Sequence, residues 1–242
     1  MIQRINRNTL YSRTARVSGD PYWANVYLLC HFNSSSGTPR AYVNQSALGT
    51  AIENTSGTAP DVSSTQSKFG GFGLAYAASG NNACRSSTAS AYNPGTGDFT
   101  EEFFFYIPNI TTNYAMMDCR PDATSAAGYL IATSGVSGEI VYRTNNSNVI
   151  VSAGGTTVAN QWMHCAVARA GTSTRLFIDG TQVGSTYSDS ADYNGAMVHT
   201  LGNTYNAAAP TDGVYYDEWR LTIGVARYTG NFTPPTAAFP DN

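Results

Sequence analysis

The chain is predicted to fold as an all-β protein, an antiparallel two-sheet β-sandwich. Short apolar runs alternate with polar residues at a period of two, and Gly, Asn, Asp and Ser punctuate them at close spacing. No segment carries an apolar stripe of period 3.6 over a useful length. Its 242 residues are enough for one large all-β domain, and 42% hydrophobic residues can fill a sandwich core.

Residues 1–20 lack a sustained apolar period and read as an arm, leaving 21–242 as the folded domain. Residues 22–32, rich in Tyr, Val and Leu, form the first strand. Residues 33–66 read as short strands in long loops. A strand is expected over 69–76, its glycines marking bends. Residues 98–106 give a clear strand with Phe99, Glu101, Phe103 and Phe105 on one face. Thr100, Glu102, Phe104 and Tyr106 line the other, so both faces are aromatic and the strand is central. Short strands follow near 114–119, 128–133, 138–143 and 147–152. In the hairpin over 162–183, Met163, Cys165 and Val167 alternate with His164, Ala166 and Ala168. Asp179-Gly180 supplies a tight turn because both residues tolerate positive φ.

Charged residues make up only 12%, about half the usual share, so the surface is mostly Ser, Thr, Asn, Gly and Tyr. Such a surface suits neutral, hydroxyl-rich ligands or protein neighbours. Strand and turn preferences alone would also produce it. A net charge of −3 argues against general nucleic-acid binding. Arg4, Arg7, Arg13 and Arg16 concentrate basic charge in the arm, where Asp20 is the one acid, and residues 21–242 carry a net of −6. The arm is either a docking element for a neighbouring subunit or a loosely ordered terminus. No apolar run resembles a signal peptide or a membrane span, so synthesis in the cytosol without membrane insertion is expected. Cys30, Cys84, Cys119 and Cys165 are widely spaced. Cys30 and Cys165 read as small core hydrophobes, and a disulfide is not required.

Several segments occur in the order of a known family. They are the opening Tyr27-Leu28-Leu29-Cys30-His31-Phe32, then Ser67-Lys68-Phe69-Gly70-Gly71, then Gly97-Asp98-Phe99-Thr100 with Glu102, the 162–184 hairpin, and the tail from Asp217-Glu218-Trp219-Arg220 to Pro235. Over residues 21–240 the chain resembles concanavalin A-like jelly rolls of the laminin-G-like type, in the form seen in bacteriophage virion proteins. The resemblance implies two face-to-face antiparallel sheets of about a dozen strands in all. It also implies a non-catalytic virion structural protein, a capsid decoration or tail-attached module on the virion surface. Its partners would be other virion proteins and copies of itself. The alternative is a lectin module for a host surface polysaccharide, and a third reading is a glycan-cleaving enzyme. Glu101, Cys30 and Asn33 depart from the family pattern, which usually has apolar, Leu and Asp residues there.

No cofactor is required, but the resemblance admits a structural calcium held by Asp217, Asn33 and the carbonyl of His31 or Phe32. Calcium wants six to eight oxygens, several of them carboxylate, so the neutral Asn33 weakens the site. In the competing reading Asp217 and Glu218 pair with Arg220 or a neighbouring strand. Catalysis is not expected. Glycosidases need two carboxylates flanking one bond, whereas adjacent strand residues such as Glu101 and Glu102 point to opposite faces. His31, His164 and His199 lie in separate strands with no nucleophile motif. For glycans, Tyr187, Tyr193 and Tyr205 are the candidate platforms, because they sit in Asn/Ser/Asp-rich loops and rings stack on the C–H faces of sugars; in the competing and slightly favoured reading these rings cover a sheet edge or meet a neighbouring subunit.

Overall fold

The computed structural model describes residues 19–33, 44–46, 52–54, 60–76, 83–87, 90–122, 127–195, 198–206, 208–209 and 212–242. Arg4, Arg7, Arg13 and Arg16 lie outside these described residues.

Among them run fifteen strands. The front sheet contains β1 (Val26–Cys30), β3 (Asp61–Ser63), β4 (Gly73–Tyr76), β6 (Phe99–Tyr106), β11 (Trp162–Ala170), β12 (Ser173–Ile178), β13 (Thr181–Ser188) and β15 (Val214–Ile223). Its order is β13-β12-β11-β6-β15-β4-β3, with β1 also paired to β15. The back sheet contains β2 (Ile52–Asn54), β5 (Cys84–Ser86), β7 (Ala115–Asp118), β8 (Tyr129–Thr133), β9 (Ile140–Thr144), β10 (Ser147–Val151) and β14 (Thr200–Leu201). Its order is β10-β9-β8-β7-β14-β5-β2, and pairing in both sheets is antiparallel. The expected jelly-roll sandwich is therefore the fold.

β6 is central, as its two aromatic faces predict. Phe99, Phe103 and Phe105 enter the core between the sheets with Cys165, Val167, Leu176, Trp219 and Tyr129. Phe99 stacks on Tyr129 at 5.3 Å, so this pair ties the sheets together. All four cysteines are free and buried. Two expected boundaries shift. Residues 69–72 form a turn, and the strand begins only at Gly73. β13 continues to Ser188, which puts Tyr187 in a strand rather than a loop.

The outer face of the front sheet is partly roofed by the C-terminal tail. Tyr228 stacks on Phe232 at 3.6 Å, and both pack against Ala166, Ala168 and Phe177. The tail docks on the Asp179-Gly180 turn, where Phe232 N–H donates to the Gly180 carbonyl. A Cβ on Gly180 would lie 2.0 Å from the Phe232 oxygen, and its φ is +74°, so glycine is required there. Phe239 packs with Val26, Leu29 and Phe104, and the Arg220 guanidinium lies 3.8 Å from its ring centre. Asp20 belongs to this folded body: it is buried and accepts from Arg220 (2.9 Å) and Arg227 (2.7 Å).

Candidate functional site

The loop after β14 carries the best-prepared of the three candidate rings. Asp118, at the end of β7, is fully buried and accepts four hydrogen bonds. Oδ1 takes Arg120 N–H and Nε, both at 2.9 Å; Oδ2 takes Arg120 Nη2 at 2.8 Å and Tyr205 N–H at 3.1 Å. One carboxylate thus fixes a guanidinium and the backbone of the tyrosine beside it. The Arg120 Cζ lies 5.9 Å from the Tyr205 ring centre. Buried Asn203 holds the loop by accepting from Thr204 N–H (2.8 Å) and Ala209 N–H (2.9 Å). Tyr205 remains half-buried and the adjacent Asn206 is exposed. The arrangement offers an aromatic face on a charged backing, with amide and hydroxyl groups alongside. It can stack a sugar ring and meet its hydroxyls.

The other two tyrosines lie elsewhere. Tyr193 is wholly buried, which departs from the surface role expected of it. Its hydroxyl donates to Asp189 Oδ2 at 3.0 Å and lies 2.9 Å from the Tyr142 hydroxyl, and its ring packs on Phe99 and Tyr129. Burial, then Asp189, pushes its phenol well above the ordinary range. The ring offers no face to a surface ligand. Tyr187 is half-buried on the front-sheet edge, paired with Thr174 and packed on the core. Sequence neighbourhood grouped the three; the sheets do not bring them together.

Glu101, Glu102 and Glu218 are engaged, each with one of the three histidines. Inward-facing Glu101 accepts from Trp219 Nε1 (2.8 Å) and Tyr129 hydroxyl (2.7 Å), and His199 Nδ1 lies at 3.0 Å. Outward-facing Glu102 accepts from Arg220 Nε (3.0 Å), Arg220 Nη2 (2.7 Å) and the Tyr228 hydroxyl (2.9 Å), with His164 Nε2 at 3.1 Å. Both are 0% exposed. Burial alone would raise Glu102, but Arg220, then His164 and Arg227, outweigh it and hold the carboxyl well below its usual range. Glu218 meets His31 Nδ1 at 2.7 Å and accepts the Phe239 N–H at 2.8 Å. Burial opposes the charged form of His31, yet Glu218 and Asp241 push the ring up to about 9. Arg220 pairs with Glu102 and Asp20 rather than with Asp217 or Glu218.

For calcium, Asp217 contributes one suitable atom. Its Oδ2 accepts the N–H groups of Lys68 (2.9 Å) and Phe69 (3.0 Å), while its Oδ1 is buried with no hydrogen-bond partner among the described residues. Burial, then the Glu218 charge, pushes its carboxyl up to about 7 against those N–H bonds. Asn33 is exposed, and its Oδ1 abuts Gly70, where a Cβ would lie 1.9 Å away. Asp217 and Asn33 therefore grip the same 67–71 turn. Among the described residues no three His, Cys, Asp or Glu side chains form a metal-holding group. Among the described residues one orphan oxygen fits the ion, and the acidic donor set there is smaller than calcium usually takes.

A family model described as Concanavalin A-like lectin/glucanases superfamily matches residues 78–222, more than half of the chain. A search of curated proteins gives no significant match. Among solved structures, the binding domain of Paraclostridial Mosquitocidal Protein 1 is similar at 14% identity and TM-score 0.62, over 86% of this chain and 50% of that one. The receptor binding domain of botulinum neurotoxin D gives 11% identity and TM-score 0.57, over 88% and 51%. Trypanosoma rangeli sialidase in complex with sialic acid gives 10% and 0.57, over 82% and 31%. The chain spans about half the length of the two toxin domains and about a third of the sialidase. At these identities the likeness is one of fold.

Proposed function

The chain belongs to the concanavalin A-like lectin/glucanase superfamily, and from that premise we propose that it is a non-catalytic carbohydrate-binding module whose ligand stacks on Tyr205. The observation that carries this reading is the Asp118 carboxylate, which fixes both Arg120 and the Tyr205 backbone and so holds a half-exposed ring ready for a sugar. Pre-ordering matters because it removes the entropy lost when a loop closes on its ligand. The similarity to a receptor binding domain and to a toxin binding domain supports a recognition role. The engagement of Glu101 and Glu102 in buried pairs supports a non-catalytic role. Binding requires no metal; the Asp217 Oδ1 is where a structural calcium would find its one carboxylate ligand.

The finer reading is a bacteriophage virion structural protein on the particle surface, a capsid decoration or tail-attached module with other virion proteins or its own copies as partners. It is supported by the sequence resemblance of the quoted segments. In it, Arg4, Arg7, Arg13 and Arg16 anchor the arm.

A glycan array probed with and without calcium tests the binding role; flat responses in both conditions would overturn it. Deleting residues 1–20 tests the anchor: lost incorporation into particles is expected, and unchanged incorporation would remove the docking role.

A further inference from the structure

The chain contains one Asp-Pro bond, Asp20-Pro21, and it falls on the boundary between the arm and the domain that follows it. Elsewhere the order is reversed, as in Pro60-Asp61, Pro121-Asp122 and Pro240-Asp241. The order matters chemically. An Asp carboxylate can attack the carbonyl carbon of its own residue by closing a small ring. Proline nitrogen, which carries no hydrogen in the chain, departs as a secondary amine more readily than an ordinary amide nitrogen.

The structure builds a turn around this bond. Asp20 is buried and Pro21 is exposed. Trp23 N–H donates to the Asp20 carbonyl at 3.0 Å, and Tyr22 N–H donates to Asp20 Oδ1 at 2.9 Å. Asp and Pro in this order suit the turn, since the carboxylate caps the backbone two residues on and the ring fixes φ. The Trp23 N–H also draws electron density from the carbonyl that would be attacked, as an oxyanion donor does. On the arm side, Asp20 N–H donates to the Asn242 carbonyl. A Cβ on Gly19 would lie 1.9 Å from that oxygen, so the chain passes tightly across Asn242.

The carboxylate is clamped. Its Oδ2 accepts from Arg220 Nη1 at 2.9 Å and from Arg227 Nη2 at 2.7 Å. Arg227 is fixed in turn by the Thr222 hydroxyl, which accepts its Nε at 2.7 Å. The charged groups facing Asp20 are thus Arg220 of β15 and Arg227 of the tail, with Glu102 of β6 sharing Arg220. Glu102 is held well below the usual carboxylate range, chiefly by Arg220 against its burial, so this network survives mild acid. Both guanidinium groups occupy electron pairs that an attacking oxygen needs, so the clamp restrains the carboxylate.

We propose that Asp20-Pro21 is a self-scission site, which severs residues 1–20 from the rest of the chain in mild acid at a rate set by the Arg220 and Arg227 clamp. An Asp20 side-chain oxygen bonds to the Asp20 carbonyl carbon, and the C–N bond to Pro21 breaks. The electron pair of that bond stays on the proline nitrogen, which takes a proton from the acid solvent. The cyclic anhydride left on Asp20 adds water and opens to two carboxyl groups. The site is independent of carbohydrate binding. The contacts of Asp20 to Arg220, Arg227 and Asn242 lie on the arm side of the cut, so scission is read under denaturing conditions.

Denaturing mass spectrometry of the full chain, kept folded at pH 5 and at pH 7 with circular dichroism as the check, tests the site. Fragments 1–20 and 21–242 should accumulate at least tenfold faster at pH 5. Pro21→Ala, at an exposed position, should slow the cut at least tenfold. Arg227→Gln should speed it at least threefold in the folded chain. In urea, which removes the clamp, that variant and wild type should be cut at equal rates. Should Arg227→Gln fail to fold, Thr222→Val takes only one hydroxyl from Arg227 and should also accelerate the cut. A folded chain that stays whole at pH 5, even where the urea-unfolded chain is cut, overturns the proposal. A folded-state rate that does not change when Arg227 is loosened overturns the clamp.

Discussion

Arg120 and Tyr205 come from different strand ends, yet the guanidinium carbon lies 5.9 Å from the phenol ring centre. Asp118 holds both of them. Arg120→Lys should therefore keep the charge but lose the two-pronged grip, since an ammonium is a single point donor. The expected outcome is glycan binding weakened about tenfold with the fold retained, measured by calorimetric titration alongside a melting curve. Asp118→Ala should do more, destabilising by about 3–5 kcal/mol, because it removes the buried carboxylate that the Arg120 guanidinium and the Tyr205 N–H share.

Catalysis should be absent. Wild-type protein incubated with the polysaccharides that it binds is expected to release no reducing ends above a buffer control. Release that disappears in Glu101→Gln or Glu102→Gln would mean that one of these buried carboxylates is reached by substrate.

Glu102 should govern acid stability. Its folded pKa is depressed, so its contribution is complete above the unfolded value of about 4.5 and is lost as pH falls below it. Denaturant unfolding from pH 6 to pH 3 should show stability falling with pH in wild type and a shallower fall in Glu102→Gln. At pH 7 that variant should be less stable by about 3 kcal/mol, since Arg220 loses one of its two charged partners.

Calcium should have little effect. Chelation is expected to leave the melting temperature and glycan binding within error, because Asp217 already spends Oδ2 on two backbone N–H groups. A rise of several degrees on adding millimolar calcium, absent in Asp217→Asn, would assign the orphan Oδ1 to the ion.

Much of the fold was legible from alternation. The two faces of β6 read directly as central, and the β11–β12 hairpin followed from Met163, Cys165 and Val167 alternating with His164, Ala166 and Ala168. The site was less so. Tyr193 sits among Asn, Ser and Asp, and that polar neighbourhood hid a ring drawn inward by Asp189 and Tyr142. The pairing of each histidine with a glutamate is long-range: His31 meets Glu218 and His199 meets Glu101 through sheet register, which no local pattern encodes. Asp118 and Arg120, two residues apart, carried the only local trace of the Tyr205 support. Trp162, Tyr106 and Tyr215 stand in register on three adjacent strands, which the strand order alone reveals.

The most direct test of a glycan-binding role is the dissociation constant of the strongest array glycan for wild type and Tyr205→Ala, measured on equally folded protein. The account predicts at least a tenfold loss in the variant. Equal affinity in the two proteins would contradict Tyr205 as the platform on which the ligand stacks.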